Sequence, residues 1–340
     1  MPDRAALISD FLNHSGWGSA PRKLVAGDAS NRRYERLERG AGNTAILMDA
    51  PPDKGEDVRP FVTITNHLRD AGLSAPQIYA QDDTLGLLLI EDLGDDLFAR
   101  VMAAEPTLEQ PLYAASVDVL VHLHQEQVPE LPRYNADVMT NRAALAYDWY
   151  QRGVSGRVNV ADKEAFSATF HIRLAPLDLA PAVLIQRDYH AENLIWLPER
   201  TGVRNVGLLD YQDAMLGHRA YDLVSIVQDA RRDVPKDVGD MMIKRYLNAT
   251  ELDEVQFRNA FALLGAQRNL RILGVFARLS MHYGKPHYVD LIPRVWGHIQ
   301  TNLSHPALVS IKPLIDATLP APTPALLQKL KDQCATIPLP

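Results

Sequence analysis

At 340 residues with 46% hydrophobic content, the chain can bury a large core. Single cores stop growing near about 250 to 300 residues, so two lobes are expected. A formal net charge of -7 argues against broad electrostatic binding of nucleic acid or an anionic membrane, while leaving room for a few arginines to hold one anion. The apolar runs are short, the segment MPDRAALISDFLNH carries neither a basic leader nor a long apolar stretch, and the one cysteine, Cys334, permits no internal disulfide. A reducing cytoplasm is the expected compartment.

From about residue 22 to 93 the pattern is strand-like: RKLV, RRYERL and TAILMD, then one helical segment, FVTITNHLRDAG, then QIYA and LGLLLIED. From about 95 onward the segments lengthen into helical periodicities, among them LEQPLYAASVDVLVHLHQEQ, TNRAALAYDWYQRG, ADKEAFSATFHIRLA and EVQFRNAFALLGAQRNLRILGVFARLSMHYG. The exception is 183 to 210, where AVLI, NLIWL and VRNVGLLD are short β-type runs, expected to form one small sheet among helices. The fold class is therefore α+β, with a β-rich unit over 1–93 and a larger, mainly helical unit over 95–340. Prolines gather at breaks such as DAPPDKG and LPAPTPALL and punctuate loops.

The stretch LIQRDYHAENLIWL, Leu184 to Leu197, crowds Arg187, Asp188, His190, Glu192 and Asn193 between two apolar runs. Asp188 and Asn193 are five positions apart, and Asp210 closes the next apolar run seventeen residues after Asn193. An Asp and an Asn in one loop are ordinarily turn-formers that bond their own backbone. The order Asp, Asn, strand, Asp has a chemical reading as well. In kinase-like phosphotransferases the first Asp accepts the proton of the attacking hydroxyl, and the Asn and second Asp hold magnesium ions on the phosphates. Magnesium wants hard oxygen ligands, which a carboxylate and an amide carbonyl supply, and the base must be an anion beside that site. The whole constellation, following a β-rich half, favours a metal-phosphate site. His122 and His124 lie two apart on a predicted helix and cannot share a face for zinc.

QRDYHAENLIW and LLDYQDAMLGHRAYDLVSI resemble the catalytic-loop and metal-loop segments of the aminoglycoside phosphotransferase family, a branch of the bilobal protein-kinase-like fold that acts on small hydroxyl compounds. GDASNRRYERL, LMDAPPDKGEDVRPFV, LLLIEDLGDDLF, AQRNLRILGVFARL and GKPHYVDLIPRVW are similar to strings of the bacterial cell-wall-recycling kinases that phosphorylate N-acetylmuramate and N-acetylglucosamine at the anomeric position. The resemblance spans about 25 to 300. It implies Asp188 as catalytic base, Asn193 and Asp210 as magnesium ligands, and Ile90 to Gly94 as a hinge whose backbone, around Glu91 and Leu93, meets the adenine of ATP. Ala26 to Arg33 would turn over the phosphates, aided by Ser30 and Asn31. Asp222 falls on a position that is structural in the family.

Two departures stand out. The phosphate turn has one glycine, Gly27, and the strand that carries a phosphate-pairing lysine in kinases reads TAILMDAP, with Met48 and Asp49. Arg32, Arg33 and Arg36 on the preceding strand are the nearest replacements, and Arg33 is the expected one on strand alternation. The resemblance further implies a sugar 1-phosphate product that passes to a downstream sugar-1-phosphate nucleotidyltransferase. The carboxylate of N-acetylmuramate calls for an arginine in the acceptor site, with Arg231, Arg232, Arg268 and Arg271 as candidates beside His190. The other readings are a kinase for an aminoglycoside or a choline-like amine, and a nucleotide-binding pseudokinase that serves as an interaction module.

Overall fold

A computed structural model describes residues 3–27, 31–40 and 42–339. The chain divides into two compact units, one of Met1–Glu126 with Glu192–Ala214 and one of Gln127–Ala191 with Met215–Pro340.

The first unit begins with α1 (Arg4–His14), whose N-terminus is capped by the Asp3 carboxylate. A five-stranded sheet follows: β1 (Arg22–Gly27), β2 (Arg33–Glu38), β3 (Thr44–Asp49), β4 (Ile78–Asp82) and β5 (Leu87–Glu91), in the order β1-β2-β3-β5-β4 with antiparallel neighbours. Alternation gives the sheet two faces. Leu37, Ala45, Leu47, Leu87 and Leu89 pack with Ile8 and Leu12 of α1 and with Trp17. Arg4 of α1 pairs with Asp49, which places Asp49 on that same side. The opposite face carries Tyr34 paired with Met48 and Arg36 paired with Ile46, and these in turn lie opposite Leu88 and Ile90 of β5.

Between β3 and β4 runs α2 (Arg59–Asp70), which buries Phe61, Ile64, Thr65 and Leu68 at the spacing of one helical face. After β5 come α3 (Phe98–Ala104) and α4 (Glu109–Leu123). The α1 helix had no counterpart among the sequence expectations.

The second unit opens with α5 (Ala136–Ala143), a π-helical turn at Ala146–Gln151, α6 (Arg152–Ser155), α7 (Val160–Leu174) and β6 (Val183–Ile185). The chain then supplies the first unit with the hairpin β7 (Leu194–Trp196) and β8 (Val206–Leu208) before β9 (Met215–Gly217) pairs antiparallel with β6. The expected single sheet over 183 to 210 is thus two separate ladders, β6 with β9 and β7 with β8. The three-residue β9 gave no period to detect.

Six helices complete the second unit: α8 (Ala220–Val227), α9 (Lys236–Thr250), α10 (Glu254–Met281), α11 (Ile292–Leu303), α12 (Lys312–Thr318) and α13 (Pro324–Asp332). The 28-residue α10, capped by Asp253, is buried along most of its length, including the polar Gln267, Arg268 and Asn269. Gly274 lets it approach the Leu145 backbone, where any Cβ would collide. Among the described residues no helix is long and apolar enough to cross a membrane. A small antiparallel sheet in one unit and a larger helical part match the expected α+β, kinase-like class.

Candidate active site

The Asp188 loop is built entirely within the second unit. Strand β6 delivers the chain to Gln186 and Arg187, whose backbone N–H groups donate to the buried Asp222 carboxylate of α8 at 2.6 and 2.9 Å. Two successive amides on one carboxylate fix where the loop begins. Burial pushes the Asp222 carboxyl up to about 7, against the pull of those two N–H donors. Arg187 takes a left-handed backbone, φ 74°, which for a side chain with a Cβ costs on the order of 1 kcal/mol and persists only where surroundings enforce it. Its guanidinium lies 5.6 Å from the Tyr134 ring centroid.

Asp188 follows, with 32% of its side chain exposed and an Arg271 guanidinium nitrogen at 4.0 Å. Burial raises its carboxyl, but the charges of Arg271, Arg268 and Arg187 outweigh that and hold it below the usual carboxylate range. An anion so placed stays ionised at neutral pH and is ready to accept a hydrogen bond from a hydroxyl.

His190 is buried, and its Nε2 lies 3.2 Å from Arg231 Nη1. A guanidinium can only donate, so Nε2 accepts and the ring proton sits on Nδ1. Burial lowers the imidazole to about 4, which keeps it neutral. The buried Asp229 closes the loop by accepting the Arg231 N–H at 2.8 Å and the Ala191 N–H at 3.4 Å. Arg268, also buried, donates to the Gln228 carbonyl at 3.1 Å. The second unit therefore brings together Asp188, His190, Arg231, Arg268 and Arg271. Asp229, which sequence reasoning missed, orders both ends of that group.

Asn193 and Asp210 belong to the first unit, at the open end of the β7–β8 hairpin. Leu209 N–H donates to the Asn193 carbonyl at 3.0 Å, and Asn193 Nδ2 reaches Asp210 Oδ2 at 3.4 Å. Asp210 also has a left-handed backbone, φ 56°, and its Oδ1 accepts from Gln212 at 2.7 Å. The next residue, Tyr211, stacks on Phe61 at 5.2 Å and shares a 2.7 Å hydrogen bond with Thr65, so α2 fixes the turn that presents Asp210. The hairpin itself is held by Leu208 N–H donating to the Ser74 carbonyl and Trp196 N–H donating to the Asp96 carbonyl. A carboxylate and an amide oxygen on neighbouring residues fit the sparse protein ligation that magnesium tolerates when phosphates supply the rest. Among the described residues no group of three His, Cys, Asp or Glu side chains offers a fuller metal cage.

The nucleotide-binding candidates also lie in the first unit. Ser30 lies outside the described residues. Asn31 donates its backbone N–H to Glu56 at 3.0 Å and its side-chain amide to the Lys54 carbonyl at 3.1 Å. Arg33 has 60% of its side chain exposed and pairs with Glu35, on the sheet face shared with Leu37. The Glu91 carboxylate takes Arg200 at 2.6 Å and the Gln77 N–H at 3.1 Å, while Leu93 is buried with Ile195 and Leu197. Arg36 is held by Asp92 and Asp95, both at 2.7 Å, and Asp92 also accepts the N–H of Gly94, whose φ of 88° makes the turn. The Arg36, Arg200 and Glu56 pairings escaped sequence reasoning because each joins residues at least 24 positions apart.

Residues 22–258 match the model of the phosphotransferase enzyme family. The chain belongs to that family. It is similar to the N-acetylmuramate/N-acetylglucosamine kinase of Caulobacter vibrioides, 37% identical with 94% of this chain and 98% of that protein covered. The protein of the same name from Pseudomonas putida is 31% identical, covering 91% and 92%. Among solved structures, choline kinase LicA from Streptococcus pneumoniae aligns with a TM-score of 0.61 at 13% identity, covering 87% of this chain and 99% of that one. Aminoglycoside phosphotransferase APH(2'')-Ib, ADP-bound, aligns with a TM-score of 0.58 at 12% identity, covering 86% and 97%. These last two likenesses show the kinase-like fold. The family and the kinase-named relatives make the chain a small-molecule phosphotransferase.

Proposed function

We propose that the chain transfers the γ-phosphoryl group of ATP to the anomeric hydroxyl of N-acetylmuramate and N-acetylglucosamine, giving sugar 1-phosphates for a nucleotidyltransferase in the recycling of cell-wall sugars in the cytoplasm. What carries this reading is near-full-length similarity to relatives named for those two sugars. The cationic setting of Asp188 supports it. Asp188 accepts the proton of the anomeric hydroxyl as its oxygen bonds to the γ-phosphorus, and the bond from that phosphorus to the β-γ bridging oxygen breaks, releasing ADP. Asn193 and Asp210 would hold magnesium, which neutralises charge developing on the phosphates. Ile90 to Gly94 would be the hinge at the end of a nucleotide-binding lobe over 1–93.

Arg231 and Arg271 are our choice for the carboxylate of N-acetylmuramate, because both are only partly buried and both contact the Asp188 loop. Arg268 supplies fixed positive charge from a buried position. The same guanidiniums oppose a cationic acceptor such as choline or an aminoglycoside.

The test is transfer from ATP and magnesium to a panel of N-acetylmuramate, N-acetylglucosamine, glucose, an aminoglycoside and choline, with the phosphate located by phosphorus NMR. Anomeric phosphates on the two N-acetyl sugars are expected. Transfer to choline or an aminoglycoside alone would overturn the sugar reading, and nucleotide binding with no transfer would favour a pseudokinase. Arg231→Gln and Arg271→Gln are expected to raise KM for N-acetylmuramate more than for uncharged N-acetylglucosamine.

A further inference from the structure

Helix α8 ends at Gln228, and the residues that follow reach the Asp188 loop: Asp229 accepts from Ala191 and Arg231, and Arg231 meets His190. This exit lies outside any helix or strand, so its path must be fixed by side chains. Three consecutive carbonyls supply one grip. Gln228 is met by Arg268 Nη1 at 3.1 Å, Asp229 by His298 Nε2 at 3.4 Å and Ala230 by Arg294 Nη1 at 3.3 Å, donors that stand on α10 and α11.

The Gln228 side chain supplies a second. Its Oε1 accepts from Asn269 Nδ2 of α10 and Asn302 Nδ2 of α11, both at 2.8 Å, and its Nε2 donates back to Asn302 Oδ1 at 3.1 Å. Each asparagine gives its other amide hydrogen to its own helix, Asn269 to the Gly265 carbonyl at 2.9 Å and Asn302 to the His298 carbonyl at 2.7 Å. A flip of the Gln228 amide would set NH2 against NH2, so the network itself fixes one orientation. All three carboxamides are buried, and Gly265 admits them, because a Cβ there would collide with the Asn302 amide. Such a cluster adds little net stability over apolar side chains of the same shape. What it adds is direction, since a hydrogen-bonded network holds one arrangement.

We infer that Gln228, gripped by Asn269 and Asn302, is a positioning residue that seats Arg231 for the acceptor's carboxylate. It acts through Asp229 and the backbone that leads to Arg231. The inference deepens the proposed function, since it takes the carboxylate of N-acetylmuramate as the group that Arg231 meets.

The test compares the full chain with Gln228→Met, which keeps the length and removes the amide, and with the triple variant Gln228→Met, Asn269→Leu and Asn302→Leu. Gln228→Met leaves two buried asparagine amides short of a partner and is expected to lower Tm. The triple variant should recover Tm, because partners replaced together by apolar groups of similar shape are nearly neutral. KM for N-acetylmuramate should rise ~10-fold in both variants, the worth of one charge-assisted hydrogen bond, with a smaller rise for N-acetylglucosamine and kcat moved less than KM. A merely structural cluster predicts that the KM ratio of the two sugars returns together with Tm in the triple variant. That result, or equal KM rises for both sugars, would overturn the inference. A second readout needs no acceptor. Arg231 Nη1 donates to His190 Nε2, so the Nε2 resonance in nitrogen NMR of labelled histidine reports where the guanidinium sits. It should move in both variants, and an unmoved resonance in both sinks the positioning role. If Arg231→Gln leaves the KM ratio unchanged, or no N-acetyl sugar is phosphorylated, the proposed carboxylate contact fails, and the His190 resonance alone then decides whether Gln228 seats Arg231.

Discussion

The two units hold their charges differently. In the first, every acid at a candidate nucleotide or metal position has a donor in a neighbouring strand or loop: Glu56 with Arg32, Glu91 with Arg200, Asp92 with Arg36, and Asp210 with Gln212. In the second, Asp188 sits in the field of Arg271, Arg268 and Arg187, with Arg271 at 4.0 Å. Paired acids fix a scaffold. An anion held in a cationic field, with part of its surface open, stays ionised and can face a substrate hydroxyl.

The largest expected effect separates those two modes. Asp188→Asn keeps the shape and removes the base, and kcat is expected to fall by roughly 10²- to 10⁴-fold, the usual worth of general-base catalysis, while ATP affinity and the magnesium concentration for half-maximal rate stay put. Asp210→Asn should lower kcat and also raise that magnesium concentration, because it removes a hard anionic ligand. Steady-state kinetics over a magnesium series reads both. A magnesium shift in Asp188→Asn, or none in Asp210→Asn, would erase the distinction between the units.

The candidate site was legible in the sequence as a spacing: Asp188, Asn193 and Asp210 interrupt apolar runs in the order that the proposed phosphoryl transfer would need. The β-rich start and helical remainder were legible from period. The backbone at the site was not. Arg187 adopts left-handed φ, which nothing in its residue type announces, and Asp210 does so as a residue type that tolerates this conformation without requiring it. Nor could alternation alone decide among Arg32, Arg33 and Arg36, since the pattern tells which residues share a face and not which face meets a ligand. The packing of α1 on Leu37 identifies the face that Arg33 shares, and alternation puts Arg32 and Arg36 together on the other one. Asp229 was hidden for another reason: its contacts to Ala191 and Arg231 depend on how the end of α8 turns.

A middle-sized effect concerns the pin at the start of the Asp188 loop. The Asp222 carboxyl is raised to about 7 by burial, so in the window between the ordinary Asp value and about 7 the folded chain binds a proton that the unfolded chain has released. Stability from this group is full below the unfolded value and declines as pH rises through about 7, by up to about 4 kcal/mol for a shift of this size. Urea unfolding of the chain and of Asp222→Asn from pH 4 to 8 measures it. The difference in stability between the chain and the variant should shrink as pH rises. If it grows instead, the two N–H donors from Gln186 and Arg187 outweigh burial and the carboxylate is the favoured form.

The smallest effect tests the neutral histidine. Burial lowers His190 to about 4, and Arg231 donating to Nε2 places its proton on Nδ1. A lowered value means that the folded chain resists protonation, so stability from this group is full above about 6.5 and is lost as pH falls toward about 4. Above pH 6 the ring should be silent, and nitrogen NMR of labelled histidine should find His190 as a single Nδ1–H tautomer that does not titrate between pH 6 and 8. The pH profile of kcat should then owe no limb near 6.5 to this residue. Arg231→Gln removes the charge that opposes imidazolium and is expected to raise the His190 value, so a titration entering the pH 5 to 7 window in that variant ties the histidine to the arginine. A wild-type titration near 6.5 would instead mean that the ring is charged beside Arg231, and the cationic field around Asp188 would be one charge stronger than the geometry implies.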